Sequence, residues 1–200
     1  MPTSVAAPAR TSVCSTSNPS FPGASRAAMT ASVYRFSSSA RSTQSAWRRP
    51  EAEIARRSSR TVFGGSGFVG RHLVRRLAQN GADVRVGVRD VEAALFLKPC
   101  GDVGQVVPWQ VEIGDPAQVA TAVHGADVVI NLVGILYERG ERTFQRVHVD
   151  GAAIVAKAAA EAGAARYLHM SALGADAASP AQYGRTKFAG EEAVKAAFPE

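Results

Sequence analysis

Two groups of residues in this chain have the types and spacing to do chemistry together. The first is the run Val62-Phe63-Gly64-Gly65-Ser66-Gly67-Phe68-Val69-Gly70, with glycines spaced G-x-x-G-x-x-G. A turn that tight needs backbone angles that a Cβ obstructs, so glycine answers a steric demand. The backbone along Gly64, Ser66, Gly67, Phe68, Val69 and Gly70 can then approach a pyrophosphate, whose charge rests on the N–H groups and positive end of the following helix. That is a dinucleotide site. The second group is Ser171, Tyr183 and Lys187. Tyr183 and Lys187 are four apart and share one face of a helix. An ammonium beside a phenol favours phenolate and lowers its pKa toward a range useful to a general acid or base. The same Lys187 can hydrogen-bond the nicotinamide ribose, and Ser171 can orient a carbonyl or hydroxyl. A Y-x-x-x-K pair arises often by chance; the glycine turn upstream and the serine ending the preceding strand give this one its weight.

The elements around these groups alternate. Thr61-Val62-Phe63 reads as a buried strand, Phe68 to Asn80 as an amphipathic helix and Asp83 to Val88 as a second strand. Val91 to Leu97 is a short helical or irregular crossover closed by Pro99 and Gly101. Gln105 to Val111 is a third strand. Asp115 caps a helix that has Pro116 in its first turn and runs to about His124. Asp127 to Val133 is the continuous apolar run of a central parallel strand. Arg142 to Ala162 is a long Ala-rich helix, Arg166 to Met170 a fifth strand and Tyr183 to Ala197 a last helix. Strands alternating with helices specify an α/β fold, a doubly wound parallel sheet of Rossmann type with strand order 3-2-1-4-5. Ser171 then lies at the carboxyl edge, where such sheets place ligands.

The end of the second strand selects the nucleotide. A carboxylate there pairs with a ribose 2′-hydroxyl, whereas a cation accepts a 2′-phosphate. The chain has Arg89, able to hold a phosphate through two parallel hydrogen bonds, and this favours NADPH over NADH. Asp90 follows at once and argues the other way. Glu112 and Ile113 lie where adenine would rest, the acid accepting from the exocyclic amine and the Ile covering a ring face. Leu132 and Gly134 end the fourth strand, and Gly134 either lets backbone pass close to the cofactor or is simply a loop glycine. No metal site is assigned.

The net charge of +6 raises the question of a nucleic-acid partner. Residues 1–60 hold nine Arg against Glu51 and Glu53, so the other 14 basic residues face 15 acids. The basic character is therefore all in the leader, and the folded part carries no interleaved aromatic and basic patch, which argues against nucleic acid. No apolar run is long enough to span a bilayer. Cys14 and Cys100 offer no disulfide framework, consistent with a reducing compartment, and Cys100 reads as a small buried or half-buried side chain rather than a nucleophile. Residues 1–50 contain no Asp, Glu or Lys but six Arg scattered among Ser, Ala and Thr. This is the composition of a mitochondrial transit peptide, with a weakly specified processing site near Arg35-Phe36-Ser37. It has too few large apolar side chains to fold on its own. The alternative is a translated stretch upstream of a bacterial start at Met29 or later. The domain organisation is thus a leader at 1–58 and a nucleotide-binding domain at 59–200.

Gly64 to Gly70 with Ser171, Tyr183 and Lys187 resemble the extended and atypical short-chain dehydrogenase/reductases, a class that includes epimerases, dehydratases and isoflavone-reductase-like proteins. Within it, Leu97-Lys98-Pro99-Cys100-Gly101-Asp102-Val103-Gly104-Gln105, Val129-Ile130-Asn131-Leu132-Val133-Gly134 and Arg185-Thr186-Lys187-Phe188-Ala189-Gly190-Glu191 are similar to the nucleotide-binding accessory subunits of respiratory complex I, the alpha subcomplex subunit 9 family, and their bacterial relatives. The likeness spans about Thr61 to Glu200, and the first stretch is the distinctive one. The resemblance implies an NADPH held for structure or assembly with little or no turnover. Its partners would be complex I subunits on the matrix side of the inner mitochondrial membrane, or in a bacterium at the cytoplasmic face of the plasma membrane. The rival is an active NADP-dependent oxidoreductase or epimerase/dehydratase with Ser171, Tyr183 and Lys187 catalytic; a redox sensor is a third reading. Two departures stand out. His148-Val149-Asp150-Gly151 replaces a segment where extended members commonly carry Asn, which weakens a conventional proton relay. The chain also stops before an expected sixth strand and substrate-side segment, so the nucleotide half is expected to be C-terminally truncated. Residues 1–58 fused to a reporter should be imported by isolated mitochondria; absence of import would remove the transit-peptide reading.

Overall fold

The computed structural model describes residues 33–35 and 57–199. Five parallel strands form the sheet: β1 (Ser59–Phe63), β2 (Asp83–Val88), β3 (Val106–Gln110), β4 (Val128–Asn131) and β5 (Arg166–Met170). β1 is central, with β2 then β3 on one side and β4 then β5 on the other, which is the order 3-2-1-4-5. β4 is shorter than its apolar run predicts because the Asn131 side-chain oxygen accepts the Val133 N–H at 3.0 Å and turns the chain. A three-residue strand, Val33–Arg35, adds antiparallel to the free edge of β5 with Val33 opposite Met170. An open edge presents unpaired N–H and C=O groups to any extended segment, so leader residues with no core of their own acquire order there. The transit-peptide reading and its processing site otherwise lie outside the described residues.

The helices are α1 (Phe68–Gln79), α2 (Pro116–Val123), α3 (Gly151–Glu161) and α4 (Gln182–Ala197). The expected crossover after β2 is a 3₁₀ segment, Glu92–Cys100. Asp115 caps α2 as its position implies, accepting from the N–H groups of Ala117 at 2.9 Å and Gln118 at 3.1 Å, and these bonds hold its carboxyl below the usual range. The helix expected from Arg142 begins later. A π-helical turn, Gln145–Asp150, leads into α3, and Arg142 instead pairs its backbone with Arg139 across a turn at Gly140.

Pleating sends alternate strand residues to opposite faces and builds two cores. Val62, Val86 and Ile130 pack with Val74 of α1 and Leu97 of the 3₁₀ segment. Phe63, Val129 and Tyr167 pack with Val119 of α2, Val155 of α3 and Val194 of α4. Buried polar groups tie the layers. The Gln105 amide donates to the carbonyls of Ala78 at 2.8 Å and Ala82 at 2.9 Å and accepts the Asp102 N–H at 2.8 Å, joining the end of α1 to the start of β3. His148 accepts the Ile135 N–H at Nε2 (3.1 Å) and meets Thr186 Oγ1 at Nδ1 (3.1 Å), pinning the loop after β4 to α4. His169 of β5 is buried with neither ring nitrogen partnered among the described residues.

Gln105→Leu leaves two carbonyls and one N–H without their partner and should cost about 3 kcal/mol; the check is a lowered urea midpoint at unchanged m-value. Burial, reinforced by the Lys187 charge, pushes the imidazoles down to about 4 for His148 and about 3 for His169. Unfolded histidines take up protons below their ordinary pKa near 6.5 while these two stay neutral, so stability falls as pH drops from about 6.5 toward 4, by about 1.4 kcal/mol per unit for each histidine. The double variant His148→Asn/His169→Asn should flatten that acid branch in urea titrations at stepped pH. Parallel slopes for the two proteins would refute the assignment.

Candidate functional site

The glycine turn joins β1 to α1 at the centre of the carboxyl edge. Gly64 has φ +76°, donates its N–H to Gly87 O at 3.2 Å and accepts the Gly67 N–H at 3.1 Å. Gly70 lies against the Gly64 carbonyl oxygen and the Gly65 Cα, where a Cβ would have no room. α1 follows Gly67, which offers no side-chain cap, and has no acid in its first turn. Its first N–H groups and its positive end therefore face the groove uncommitted, which suits an anion. A cavity of about 240 Å³ opens there, and of the residues expected to bind a cofactor it is bordered by Gly64, Ser66, Gly67, Arg89, Glu112, Ile113, Leu132 and Gly134. Gly70 works from beneath the turn, and Phe68 and Val69 are exposed on the first turn of α1, outside that lining. Asp90, the acid that argued against a 2′-phosphate, accepts the Ala93 N–H at 3.1 Å and caps the 3₁₀ segment. Arg142 and Val147 border the groove as well and were not foreseen; Arg142 sits in an irregular loop where no periodicity marks a side chain's direction. These residues fit a dinucleotide: a turn stripped of Cβ atoms, an uncapped helix start and a guanidinium at the end of β2.

The second group lies at the ends of β5 and α4, outside that lining. Lys187 is buried and donates to the Met170 carbonyl at 2.7 Å. Ser171 donates its hydroxyl to the carboxylate of Glu191, and both are buried. Burial lowers Lys187 to about 8, with the Glu191 carboxylate opposing the shift. Tyr183 corrects the sequence expectation. Burial holds its phenol above the ordinary value, not below, and no hydrogen bond joins it to Ser171 or Lys187 among the described residues. Its ring packs edge-on against His148 at 5.3 Å and Phe144 at 5.9 Å. Helical spacing put Tyr183 and Lys187 on one face, but the ammonium is taken by a backbone carbonyl that the spacing could not reveal. Glu191 was missed as a site residue although it continues the same i, i+4 row from Tyr183 and Lys187. As it stands, the cluster presents an ammonium, a hydroxyl with its proton committed and a half-buried phenol at the strand edge. A dinucleotide laid across the switch point beside β1 would extend from Arg89 and Glu112 toward this cluster.

A family model described as NAD(P)H-binding matches residues 64–197. The chain is 42% identical over 144 residues to NADH dehydrogenase [ubiquinone] 1 alpha subcomplex subunit 9, mitochondrial, of Arabidopsis thaliana, covering 70% of this chain and 35% of that one. It is 37% identical over 140 residues to the NADH-ubiquinone oxidoreductase 40 kDa subunit, mitochondrial, of Neurospora crassa, covering 70% and 37%. A ceramide reductase of Caulobacter vibrioides is 39% identical over 138 residues, covering 69% and 42%. The chain thus spans well under half the length of these relatives. Among solved structures, the enzyme WbmG of Bordetella bronchiseptica in complex with NAD superposes with a TM-score of 0.57 at 22% identity, over 72% of this chain and 51% of that one. That likeness carries the fold. With the groove, the glycine turn and a family model that covers more than half of its residues, the chain belongs to the NAD(P)H-binding family.

Proposed function

We propose that the chain is the nucleotide-binding part of an accessory or assembly subunit of respiratory complex I, holding NADPH with little or no turnover on the matrix side of the inner mitochondrial membrane. The observation that carries the holding role is the commitment of the polar cluster: Ser171 gives its proton to Glu191 and Lys187 its ammonium to Met170, while Tyr183 stands apart with a raised pKa. A general acid needs a phenol whose proton transfer is assisted. Lys187 and Ser171 instead suit ribose hydroxyls. The choice of NADPH follows from Arg89 on the groove and from Asp90 being turned to the 3₁₀ segment. The relatives from Neurospora crassa and Arabidopsis thaliana carry complex I names and the word mitochondrial, which supports the partner and the compartment. Among the described residues no helix is long and apolar enough to cross a membrane, so attachment through other subunits is part of the proposal.

The nicotinamide supplies hydride when such a group is bound, and the Caulobacter vibrioides relative named ceramide reductase favours a second reading in which this chain uses it. Tyr183 would then protonate a carbonyl oxygen while Lys187 and Ser171 hold the reactants. The two readings separate in one preparation. The purified chain should retain about one NADPH per molecule in acid extracts and oxidise no more than that equivalent when offered carbonyl compounds. A tagged copy should co-migrate with complex I on native gels. Multiple turnover, abolished by Tyr183→Phe at unchanged nucleotide affinity, would replace the holding role with the reductase one. Because the buried Lys187 titrates near 8, its ammonium is present at pH 7 and lost above that value, so affinity for either nucleotide should fall as pH rises through about 8. Lys187→Met should remove this dependence.

A further inference from the structure

A second cavity, of about 370 Å³, adjoins the nucleotide groove and is lined by Arg89, Arg139, Arg142 and the 134–137 loop. Three arginines line it and no acidic residue does. Among the described residues none of the three side chains has a hydrogen bond, ion pair or ring contact. The acids next to them in sequence are each engaged elsewhere: Asp90 accepts the Ala93 N–H, Glu138 accepts the Phe144 N–H at 2.7 Å and Glu141 pairs with Arg146 at 3.1 Å. The backbone fixes two of the cations. Arg139 and Arg142 exchange both N–H···O bonds at 3.1 Å across the turn at Gly140, which has φ +56°. Directly paired residues of this kind project their side chains to the same side. Arg89 and Arg142 also line the nucleotide groove, so the cavity opens onto it.

We infer that Arg139 and Arg142 complete, with Arg89, one anion site that takes the phosphomonoester of the nucleotide's 2′ position, and that this hairpin sets the preference for NADPH. The inference rests on the nucleotide-holding reading above and adds two residues to it. A phosphomonoester near pH 7 carries close to two negative charges on three terminal oxygens. Planar guanidiniums match it through paired hydrogen bonds, and one Arg alone leaves part of that charge unmatched. The dianion can gain charge-assisted bonds from these side chains that NADH, with a neutral 2′-hydroxyl, cannot make.

The experiment measures NADPH and NADH affinity by calorimetry on the whole chain and on Arg139→Ala, Arg142→Ala and the double variant. Each single change should weaken NADPH about tenfold or more, the scale of a lost charge-assisted hydrogen bond. NADH affinity should fall far less than NADPH affinity, and an unchanged urea midpoint reports intact folding. Adenosine 2′,5′-bisphosphate should displace NADPH far better than 5′-AMP does, and inorganic phosphate should compete weakly with NADPH. Equal loss of both nucleotides, or an unchanged NADPH preference in the double variant, overturns the inference and leaves nucleotide holding intact. Phosphate binding alongside NADPH without competition also overturns it, by giving the cavity to a separate anion. If the unaltered chain binds neither nucleotide, the holding reading falls and this one with it.

Discussion

Gly70 touches the carbonyl oxygen of Gly64 and the Cα of Gly65, and no side chain larger than hydrogen fits between them. That contact lets α1 descend onto the turn, and the rest of the site follows from it. A methyl group there would push the helix away from β1 and carry its free N–H groups off the groove axis. A second close approach acts alongside. A Cβ on Gly87 would meet the Phe63 ring at 2.8 Å, so its absence lets Phe63 lie across the end of β2 and roof the core formed with Val111. The ends of β1 and β2 and the start of α1 converge on one small volume because two helix and strand surfaces lack side chains where they meet. Packing at that density tolerates few substitutions, since neighbouring backbone cannot move as a side chain could.

Charge is arranged in two contrasting ways around this frame. Lys187 and Glu191 are buried together at the seam of α4 and β5, where taking either ion out of water is expensive. Met170 and Ser171 offset part of that cost by hydrogen bonding, yet Lys187 is still driven down to about 8. The same ammonium helps keep His148 and His169 neutral, so the interior of this region carries one positive charge where three titratable bases crowd. A buried pair of this sort is weak evidence for stability. The guanidiniums of Arg89, Arg139 and Arg142 are the opposite case: they remain in reach of water, where solvent and salt screen them and burial exacts little.

What the sequence made legible was what local sterics and periodicity dictate. The turn from Gly64 to Gly70, the cap at Asp115 and the all-apolar β4 follow from backbone angles, hydrogen-bond geometry and burial on both faces, and the strand order follows from chirality and crossover rules. Eight of the predicted cofactor residues border one cavity for the same reason, because strand ends in such a sheet share an edge. The misreadings lie where a side chain chose among partners. Arg142 was assigned to a helix because its neighbourhood is helix-compatible, but two backbone bonds to Arg139 hold it in a hairpin. Tyr183 was expected to share a proton field with Lys187, but the ammonium found the carbonyl of Met170, seventeen positions away in sequence. Asp90, which clouded the choice of nucleotide, accepts the Ala93 N–H at the start of the 3₁₀ segment. In each case spacing fixed the face and tertiary geometry fixed the partner.

The commitment of Ser171 has a chemical consequence. A serine that donates to a carboxylate offers outward only its lone pairs, and so recognises hydroxyl or amide donors rather than carbonyl acceptors. Lys187 is a donor already shared with a backbone oxygen, and at pH 7 it can add a bond to a second acceptor without giving up its proton. An acceptor and a donor side by side match the vicinal hydroxyls of a ribose, each of which both gives and takes a hydrogen bond. A substrate carbonyl would need the proton of Ser171 or Tyr183, and one is held by Glu191 while the other sits on a phenol that burial makes a weaker acid. Reduction at this cluster would require Ser171 to leave Glu191, stranding a buried carboxylate, and that penalty supports the proposed holding role over the reductase one.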